Sequence, residues 1–431
     1  MSGNNTNMSI PVTRREKFAW ILYDFANSGY TTVVLTTIYN AYFVSTIAMN
    51  NGFNSAAATL FWTLTIATGN LLVLLSAPVI GAYADIHAAR KKLLLLVTIG
   101  CIFFTALLAT PEPGDIFTAA FFIVISYFMF ATGENLIAAF LPELTTKDNI
   151  GRLSGYGWSI GFLGGLTSLA LCLGYVSWAK SLGHTATDYV PATMIIVAVF
   201  FAISTLPTMI FLKERGHSSG KQNHIASDAF KRVVTTIKSL NDYPELQRFM
   251  LAIISFQAGI YIVIVLAAVY AQQVMGFDTG QNILLIGIVN ITAAVGAFSF
   301  GHLQDKIGSI KTLLLTLVLW CIAILTAWSS QDINLFWLSA NLIGLSLGAS
   351  QSASRALIGL FSPSGRYGEF FGLWGMSVKL AAIIGPLSYG MINWLTDGNH
   401  RDSILTTLVF FVAGIMILLT IDEKRGRQRV A

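Results

Sequence analysis

The sequence predicts an all-α membrane protein with twelve spanning helices in two six-helix repeats, and three observations support this. First, only 11% of the residues are charged and 55% are hydrophobic, with a mean hydropathy of +0.67, unlike a soluble domain. Second, apolar runs long enough to cross a hydrocarbon core of about 30 Å recur along the chain. Third, a short charged motif occurs twice, with Asp305 following Asp85 by 220 positions.

Each apolar run is expected to be a helix, because backbone groups cannot remain unpaired in lipid and the runs lack the alternation of barrel strands. The twelve predicted spans are 18–48, 56–83, 93–110, 116–141, 152–177, 190–212, 249–274, 281–302, 312–329, 334–361, 368–395 and 403–421.

The basic residues indicate the orientation. Of the 26 Lys and Arg residues, 22 fall in termini or loops on one side of the membrane, whereas the opposite loops hold only Lys180 and Arg401. The positive-inside rule therefore predicts that both termini are cytoplasmic. The net charge of +5 is then a topology signal, and no nucleic-acid partner is expected.

Polar segments divide the chain into five parts: an N-terminal cytoplasmic tail (1–17), a six-helix bundle (18–212), a cytoplasmic linker (213–247), a second six-helix bundle (248–421) and a basic cytoplasmic tail (422–431). No cleavable signal peptide is expected. Within the linker, apolar residues from Phe230 to Leu240 recur at helical spacing. This predicts an amphipathic helix on the membrane surface, with a partly disordered basic loop as the alternative.

The repeated motif reads GAYADIHAARKK at 81–92 and GHLQDKIGSIK at 301–311, each after the second span of its half. A glycine allows close helix approach, and a carboxylate at a helix end can meet a basic partner on the same membrane face. We expect these loops to act as latches that break when the protein changes state. The candidate gating residues are Gly81, Asp85, Arg90, Lys91, Gly301, Asp305, Lys306 and Lys311.

Four ionisable residues stand out because they lie well within predicted spans, namely Asp24, Glu134, Arg355 and Lys379. A charge at the bilayer centre costs at least about 2.5 to 3.5 kcal/mol, so such residues are candidates for function. Glu134 lies eight residues before Pro142 and Arg355 eight before Pro363, so parallel repeats would place them opposite each other at a central cavity. They could recognise a zwitterion, or an acid could carry a coupling proton. Alternatively, Glu134 and Arg355 pair with each other or extend toward the headgroups.

Neutral side chains extend the list of candidates. The amides Asn27, Asn135 and Gln351 could contact a ligand or tie helices together. The aromatic residues Tyr156, Trp158 and Trp374 could wall the cavity. Cys101, Cys172 and Cys321 have no metal-site or disulfide spacing and are interpreted as packing residues. No catalytic or nucleotide-binding motif appears, so neither an enzyme nor a cofactor is expected.

The two motif loops resemble the cytoplasmic loop motif of the major facilitator superfamily, although Ile86 and His87 stand where a basic residue often follows the aspartate. Four stretches are similar to the vacuolar amino-acid effluxers linked to autophagy in fungi and to their bacterial relatives. These stretches are WILYDFANSGY at 20–30, ENLIAAFLPEL at 134–144, SGYGWSIGFLGG at 154–165 and the segment 351–386.

The resemblance implies a secondary carrier of neutral amino acids that works as a monomer by alternating access. It implies that Arg355 or Lys379 binds the carboxylate, and that Glu134 or Asp24 binds the ammonium group or a proton. The compact chain points to a bacterial cytoplasmic membrane. Alternatives are a drug or metabolite exporter, and a non-transporting receptor. The receptor is disfavoured because no polar segment exceeds about 35 residues.

Overall fold

The computed structural model describes residues 11–216, 235, 242–397 and 399–430. Within these ranges every regular element is helical. The first six long helices are α1 (Arg14–Asn51), α2 (Ser55–Ile86), α3 (Arg90–Leu107), α4 (Ile116–Ala138), α5 (Ile150–Ser181) and α6 (Ala186–Phe211). The remaining helices are α7 (Pro244–Met275), α8 (Thr279–Ile307), α9 (Ser309–Ser329), α10 (Ile333–Leu360), α11 (Tyr367–Leu395), α12 (His400–Leu418) and the short α13 (Glu423–Arg429).

Eleven helices of the described chain are long and apolar enough to cross a membrane. The one predicted span not among these eleven, 93–110, corresponds to α3, which begins with Arg90, Lys91 and Lys92 and is only 18 residues long. The all-helical membrane architecture is therefore confirmed, while the count of twelve spans and the repeat relationship stay predictions.

Helix α1 is irregular in a way that the apolar pattern did not indicate. It is α-helical to Tyr30 and then contains two π-helical stretches, Thr31–Thr37 and Phe43–Ala48. Threonine hydroxyls in the first stretch donate back to the chain, with Thr37 Oγ1 2.6 Å from the Thr32 carbonyl oxygen. Such side-chain bonds compete with the regular helix ladder and accompany its widening.

Glycines allow helices of the first six to touch helices of the last six. An ideal Cβ on Gly81 of α2 would lie 2.0 Å from the carbonyl oxygen of Gly368 in α11. In α5, a Cβ on Gly155 would lie 2.5 Å from the carbonyl oxygen of Ala297 in α8. Any side chain at these positions would separate the helices, so the two contacts depend on glycine.

Both motif aspartates lie at the same end of the bundle, which we call the motif face. Asp85 accepts hydrogen bonds from the backbone N–H groups of Gly368 (3.0 Å) and Glu369 (2.8 Å) at the start of α11. Asp305 accepts from the N–H groups of Gly151 (2.9 Å) and Arg152 (3.0 Å) at the start of α5. Each carboxylate thus binds the positive end of a helix from the other group of six.

The basic residues of the two motif copies behave differently. Arg90 is buried, lies 3.7 Å from Asp85 and also pairs with Glu143. Lys91 contributes its backbone N–H to Glu214. Contrary to expectation, Lys306 and Lys311 are exposed, and Asp305 is paired with Arg152 at 3.5 Å.

Asp305 pairs with Arg152, and not with a lysine of its own motif, because it binds the start of α5 and Arg152 lies on the first turn of that helix. In the first copy, where Ile86 and His87 follow the aspartate, Asp85 binds backbone N–H groups of α11.

The C-terminal tail is helical and docks on the motif face. Glu423 accepts a hydrogen bond from the Ile310 N–H (3.0 Å), Arg425 pairs with the buried Glu245, and Gly426 lies against Phe361. The amphipathic helix predicted for the linker falls outside the described residues. Of the cysteines, Cys101 and Cys172 are buried and Cys321 is half-buried, all with free thiols.

Candidate functional site

A cavity between α1, α4, α5, α10 and α11 contains most of the predicted site residues. Its volume is no more than about 330 Å³, including open space at its mouth. Its walls are formed by Asp24, Asn27, Ser28, Glu134, Ala138, Trp158, Arg355 and Trp374. Helices from both groups of six therefore contribute side chains to one polar cavity.

Arg355 is paired with Asp24 and not with Glu134. Its Nη1 lies 2.7 Å from Asp24 Oδ2, Nε lies 3.2 Å from Ser154 Oγ, and Nη2 lies 3.0 Å from the Ser154 carbonyl oxygen. The guanidinium is stacked between the rings of Trp20 (4.8 Å) and Trp158 (5.2 Å). All three guanidinium nitrogens are thus engaged, and the ion pair joins α1 to α10.

Local sequence explains this geometry. An ideal Cβ on Gly157 would lie 2.3 Å from Asp24 Oδ2 and 2.5 Å from Arg355 Nη2, so a glycine here leaves room for the pair. Asp24 lies ten residues after the start of helix α1 at Arg14, which is about 15 Å along the helix.

Glu134 and Lys379 have no ion-pair partner within the described ranges. The half-buried Glu134 lines the cavity and makes no hydrogen bond there. Lys379 is only 5% exposed, and its Nζ donates to the Tyr127 hydroxyl at 3.1 Å. The two groups lie near enough to interact electrostatically, although Lys379 is not one of the residues that form the cavity walls. This part of the protein therefore holds one ion pair, Asp24–Arg355. Glu134 and Lys379 are an acid and a base without ion-pair partners among the described residues.

Three buried polar atoms near the cavity have no hydrogen-bond partner among the described residues, namely Asn27 Oδ1, Asn135 Nδ2 and Trp158 Nε1. Asn27 and Trp158 line the cavity, whereas Asn135 lies against Gly375. Buried polar groups are nearly always satisfied in proteins, so unpartnered ones beside a cavity are candidates for ligand contact.

Other predicted residues have partners elsewhere. Gln351 bonds Gln257 at 2.8 Å, which ties α10 to α7. The Tyr156 hydroxyl lies 3.2 Å from His302 Nε2 and its ring packs against Phe298, so Tyr156 does not line the cavity. Trp374 lines the cavity, with its Nε1 3.4 Å from Ser354 Oγ.

Sequence reasoning missed Trp20, Tyr127, Asn70 and Ser154. Trp20 precedes Asp24 by one helical turn, which was an available signal. Tyr127 and Asn70, whose side chains hydrogen-bond each other at 2.7 Å, carry no such signal, because their contacts depend on how α2, α4 and α11 pack.

The chain matches a family model described as vacuole effluxer Atg22 like over residues 12–431. It is 25% identical over 414 residues to the MFS-type transporter YxiO of Bacillus subtilis (strain 168), covering 95% of each chain. It is also 29% identical over 308 residues to autophagy-related protein 22 of Cryptococcus neoformans var. neoformans, covering 66% of this chain and 54% of that protein. The chain thus matches about half the length of this fungal relative.

Solved structures share the fold. The human organic anion transporter MFSD10 has a TM-score of 0.76 at 17% identity, covering 95% of this chain and 100% of its own. The proton:xylose symporter XylE of the major facilitator superfamily, bound to 6-bromo-6-deoxy-D-glucose, has a TM-score of 0.74 at 14% identity and covers 94% of each chain. The family match, together with this fold, shows that the chain belongs to the vacuole effluxer Atg22-like family of major facilitator superfamily transporters.

Proposed function

We propose that this protein is a secondary active carrier of neutral amino acids, with the substrate zwitterion bound between Glu134 and Lys379. The observation that carries the proposal is an acid in the cavity wall, Glu134, and a buried base, Lys379, neither of which has an ion-pair partner among the described residues. An ammonium group would bind Glu134 and a carboxylate would bind Lys379. Each charge would gain a partner only when substrate is present, which favours binding of a zwitterion over a singly charged solute.

Arg355 is the weaker candidate for the carboxylate. Its nitrogens are already bonded to Asp24 and Ser154, and a substrate carboxylate would have to displace a buried ion pair. Removing one partner from such a pair typically costs about 3–5 kcal/mol. In this proposal the Asp24–Arg355 pair closes the cavity on the side of the motif face.

The size and lining of the cavity support a small solute. Even with the open space at its mouth included, the cavity measures about 330 Å³, so in this conformation it is a narrow space. The rings of Trp158 and Trp374 offer apolar wall for an amino-acid side chain. A bulky drug would require a larger space, so an exporter of such compounds is the second candidate and not the first.

Transport would proceed by alternating access, and the proposed orientation follows the basic residues. The motif face carries most of the Lys and Arg residues, so we assign it to the cytoplasm and the protein to a bacterial cytoplasmic membrane. Opening toward that face would break the Asp85 and Asp305 contacts and the Asp24–Arg355 pair. Glu134, as the unpaired carboxylate, is the candidate for a coupled proton, and a single copy of the chain contains the whole site.

The test is uptake of radiolabelled L-leucine into proteoliposomes with an imposed pH gradient. We expect saturable uptake by the wild type and a loss of about tenfold or more in Glu134→Gln and in Lys379→Gln. The matched controls Glu112→Gln and Lys92→Gln, which change exposed residues outside the cavity, should transport normally. Unchanged uptake in both cavity variants would contradict the proposed roles. Tighter binding of a bulky hydrophobic drug than of L-leucine, with Arg355→Ala tolerated, would favour the exporter.

A further inference from the structure

A chain of buried polar groups extends from Lys379 across three helices. Lys379 Nζ in α11 lies 3.1 Å from Tyr127 Oη in α4, and Tyr127 Oη lies 2.7 Å from Asn70 Oδ1 in α2. The three residues are 5%, 6% and 8% exposed. The chain therefore joins a helix of the last six to two helices of the first six at a buried point.

The direction of each hydrogen bond in this chain is fixed. A phenol has one hydrogen, and the Tyr127 hydroxyl donates it to Asn70 Oδ1. The lone pairs of Tyr127 Oη are then available to accept from the Lys379 amino group. Lys379 Nζ also lies 5.2 Å from the centre of the Tyr127 ring, which adds a cation–π attraction. Asn70 thus orients Tyr127, and Tyr127 orients Lys379.

The neighbouring residue makes room for this arrangement. An ideal Cβ on Gly69 would lie 2.5 Å from Cδ1 of Tyr127, so a larger residue would displace the ring. Adjacent residues of α2 therefore perform two tasks: Gly69 leaves space for the ring and Asn70 accepts its hydroxyl hydrogen. We call these two residues and Tyr127 the lysine socket.

The lysine socket holds Lys379 without neutralising it. A phenol and an amide carry no charge, whereas buried lysines in membrane proteins usually pair with acids. The lysine ammonium has three donors, and the Tyr127 hydroxyl uses one. The other two N–H groups have no hydrogen-bond acceptor among the described residues.

We infer that Tyr127 and Asn70 are positioning residues that aim the Lys379 ammonium at a carboxylate on the substrate. This inference rests on the proposed function. It adds that the socket determines specificity for amino acids, which carry a carboxylate, over the corresponding amides, which do not. Glu134, on the ammonium side of the substrate, is independent of the socket.

The experiment compares two probes, L-leucine and L-leucinamide, by calorimetric titration of the purified full-length protein at about pH 6.5, where both probes carry an ammonium group. Leucinamide has the same side chain and no carboxylate. Tyr127→Phe keeps the ring and removes only the hydroxyl. We expect this variant to bind L-leucine about tenfold more weakly, the loss of roughly one charge-assisted hydrogen bond, and to bind leucinamide within about twofold of the wild type.

Two further variants make the result specific. Asn70→Ala leaves the Tyr127 ring in place and frees its hydroxyl to rotate, so it should reproduce the selective loss even if Tyr127→Phe folds poorly. Tyr189→Phe is the control, because Lys180 Nζ lies 5.6 Å from the Tyr189 ring outside the cavity. The control should bind both probes as the wild type does.

The outcomes separate the two claims. If wild-type protein binds L-leucine and the socket variants weaken both probes equally, or weaken neither, the positioning role is wrong while the proposed function stands. If wild-type protein binds neither probe, the proposed function fails and the positioning role fails with it.

Discussion

The ion pair between Asp24 and Arg355 is the residue-scale feature that joins α1 to α10 in the wall of the cavity. Its two partners are 8% and 3% exposed, and the rings of Trp20 and Trp158 cover the guanidinium. Shielding from water strengthens the attraction and also raises the cost of leaving either charge alone. The pair is therefore expected to stabilise this conformation chiefly because each charge requires the other.

A double-mutant comparison tests this dependence. Arg355→Met should lower the stability of the protein by about 3–5 kcal/mol, because Asp24 is left buried and unpaired. The double variant Asp24→Asn/Arg355→Met should recover part of this loss, since no uncompensated charge remains. Thermal unfolding in detergent measures both. If the double variant is less stable than Arg355→Met by the whole loss that Asp24→Asn causes on its own, the two residues act independently.

The sequence located the ionisable residues of the site but not their partners. Charges inside apolar runs are conspicuous, so Asp24, Glu134, Arg355 and Lys379 were all predictable. The repeat argument placed Glu134 opposite Arg355, whereas Arg355 bonds Asp24, 331 positions away. Such a pairing depends on how α1 and α10 pack, and no local spacing encodes it.

At the scale of elements, helix contacts at the motif face depend on glycine and on helix ends. In α11, an ideal Cβ on Gly372 would lie 2.5 Å from the carbonyl oxygen of Ala77 in α2. The start of the same helix is bound by Asp85. The sequence predicted that the motif loops form latches. It could not show that the two motif aspartates bind backbone N–H groups, because every helix start offers such groups.

Widening the contact between α2 and α11 should open the motif face. We expect Gly372→Leu to push α2 away and to speed hydrogen exchange of the Gly368 and Glu369 amides about tenfold or more, since they lose Asp85. The control Gly390→Leu lies in the same helix with open space around its Cβ and should leave exchange unchanged. Hydrogen-exchange mass spectrometry measures this. Equal exchange in both variants would show that the glycine contact does not hold the face closed.

The docked C-terminal helix α13 yields a second prediction for an element. Arg425→Ala should lower stability by about 1–2 kcal/mol, because the Glu245 carboxylate is buried and, among the described residues, would retain only Arg248 as its charged partner. Lys424→Ala, which changes an exposed neighbour on the same helix, should have no measurable effect. Thermal unfolding of the two variants is the measurement. If Arg425→Ala and Lys424→Ala are equally stable, α13 contacts the motif face but does not stabilise the fold.

For the whole molecule, hydropathy was sufficient to predict an all-helical membrane protein, whereas the repeat relationship that the duplicated motif predicts stays a prediction. Lipid excludes every unpaired backbone group, so long apolar runs have few alternatives to helices. The π-helical stretches of α1 were not predictable from hydropathy, because they depend on side-chain bonds that an apolar average ignores. The lysine socket was not predictable either, because Asn70 and Tyr127 approach Lys379 only through the packing of α2, α4 and α11.

The central claim for the whole molecule is that an unpaired acid and an unpaired base, held on different helices, bind a zwitterion in one cavity. The most direct test is a cryo-electron-microscopy structure of the full-length protein with L-leucine bound. We predict density between Glu134 and Lys379, with the carboxylate at Lys379 Nζ, the ammonium group at Glu134 and the Asp24–Arg355 pair unbroken in this conformation. A ligand whose carboxylate occupies Arg355 with Asp24 displaced, or one bound outside this cavity, would contradict the account.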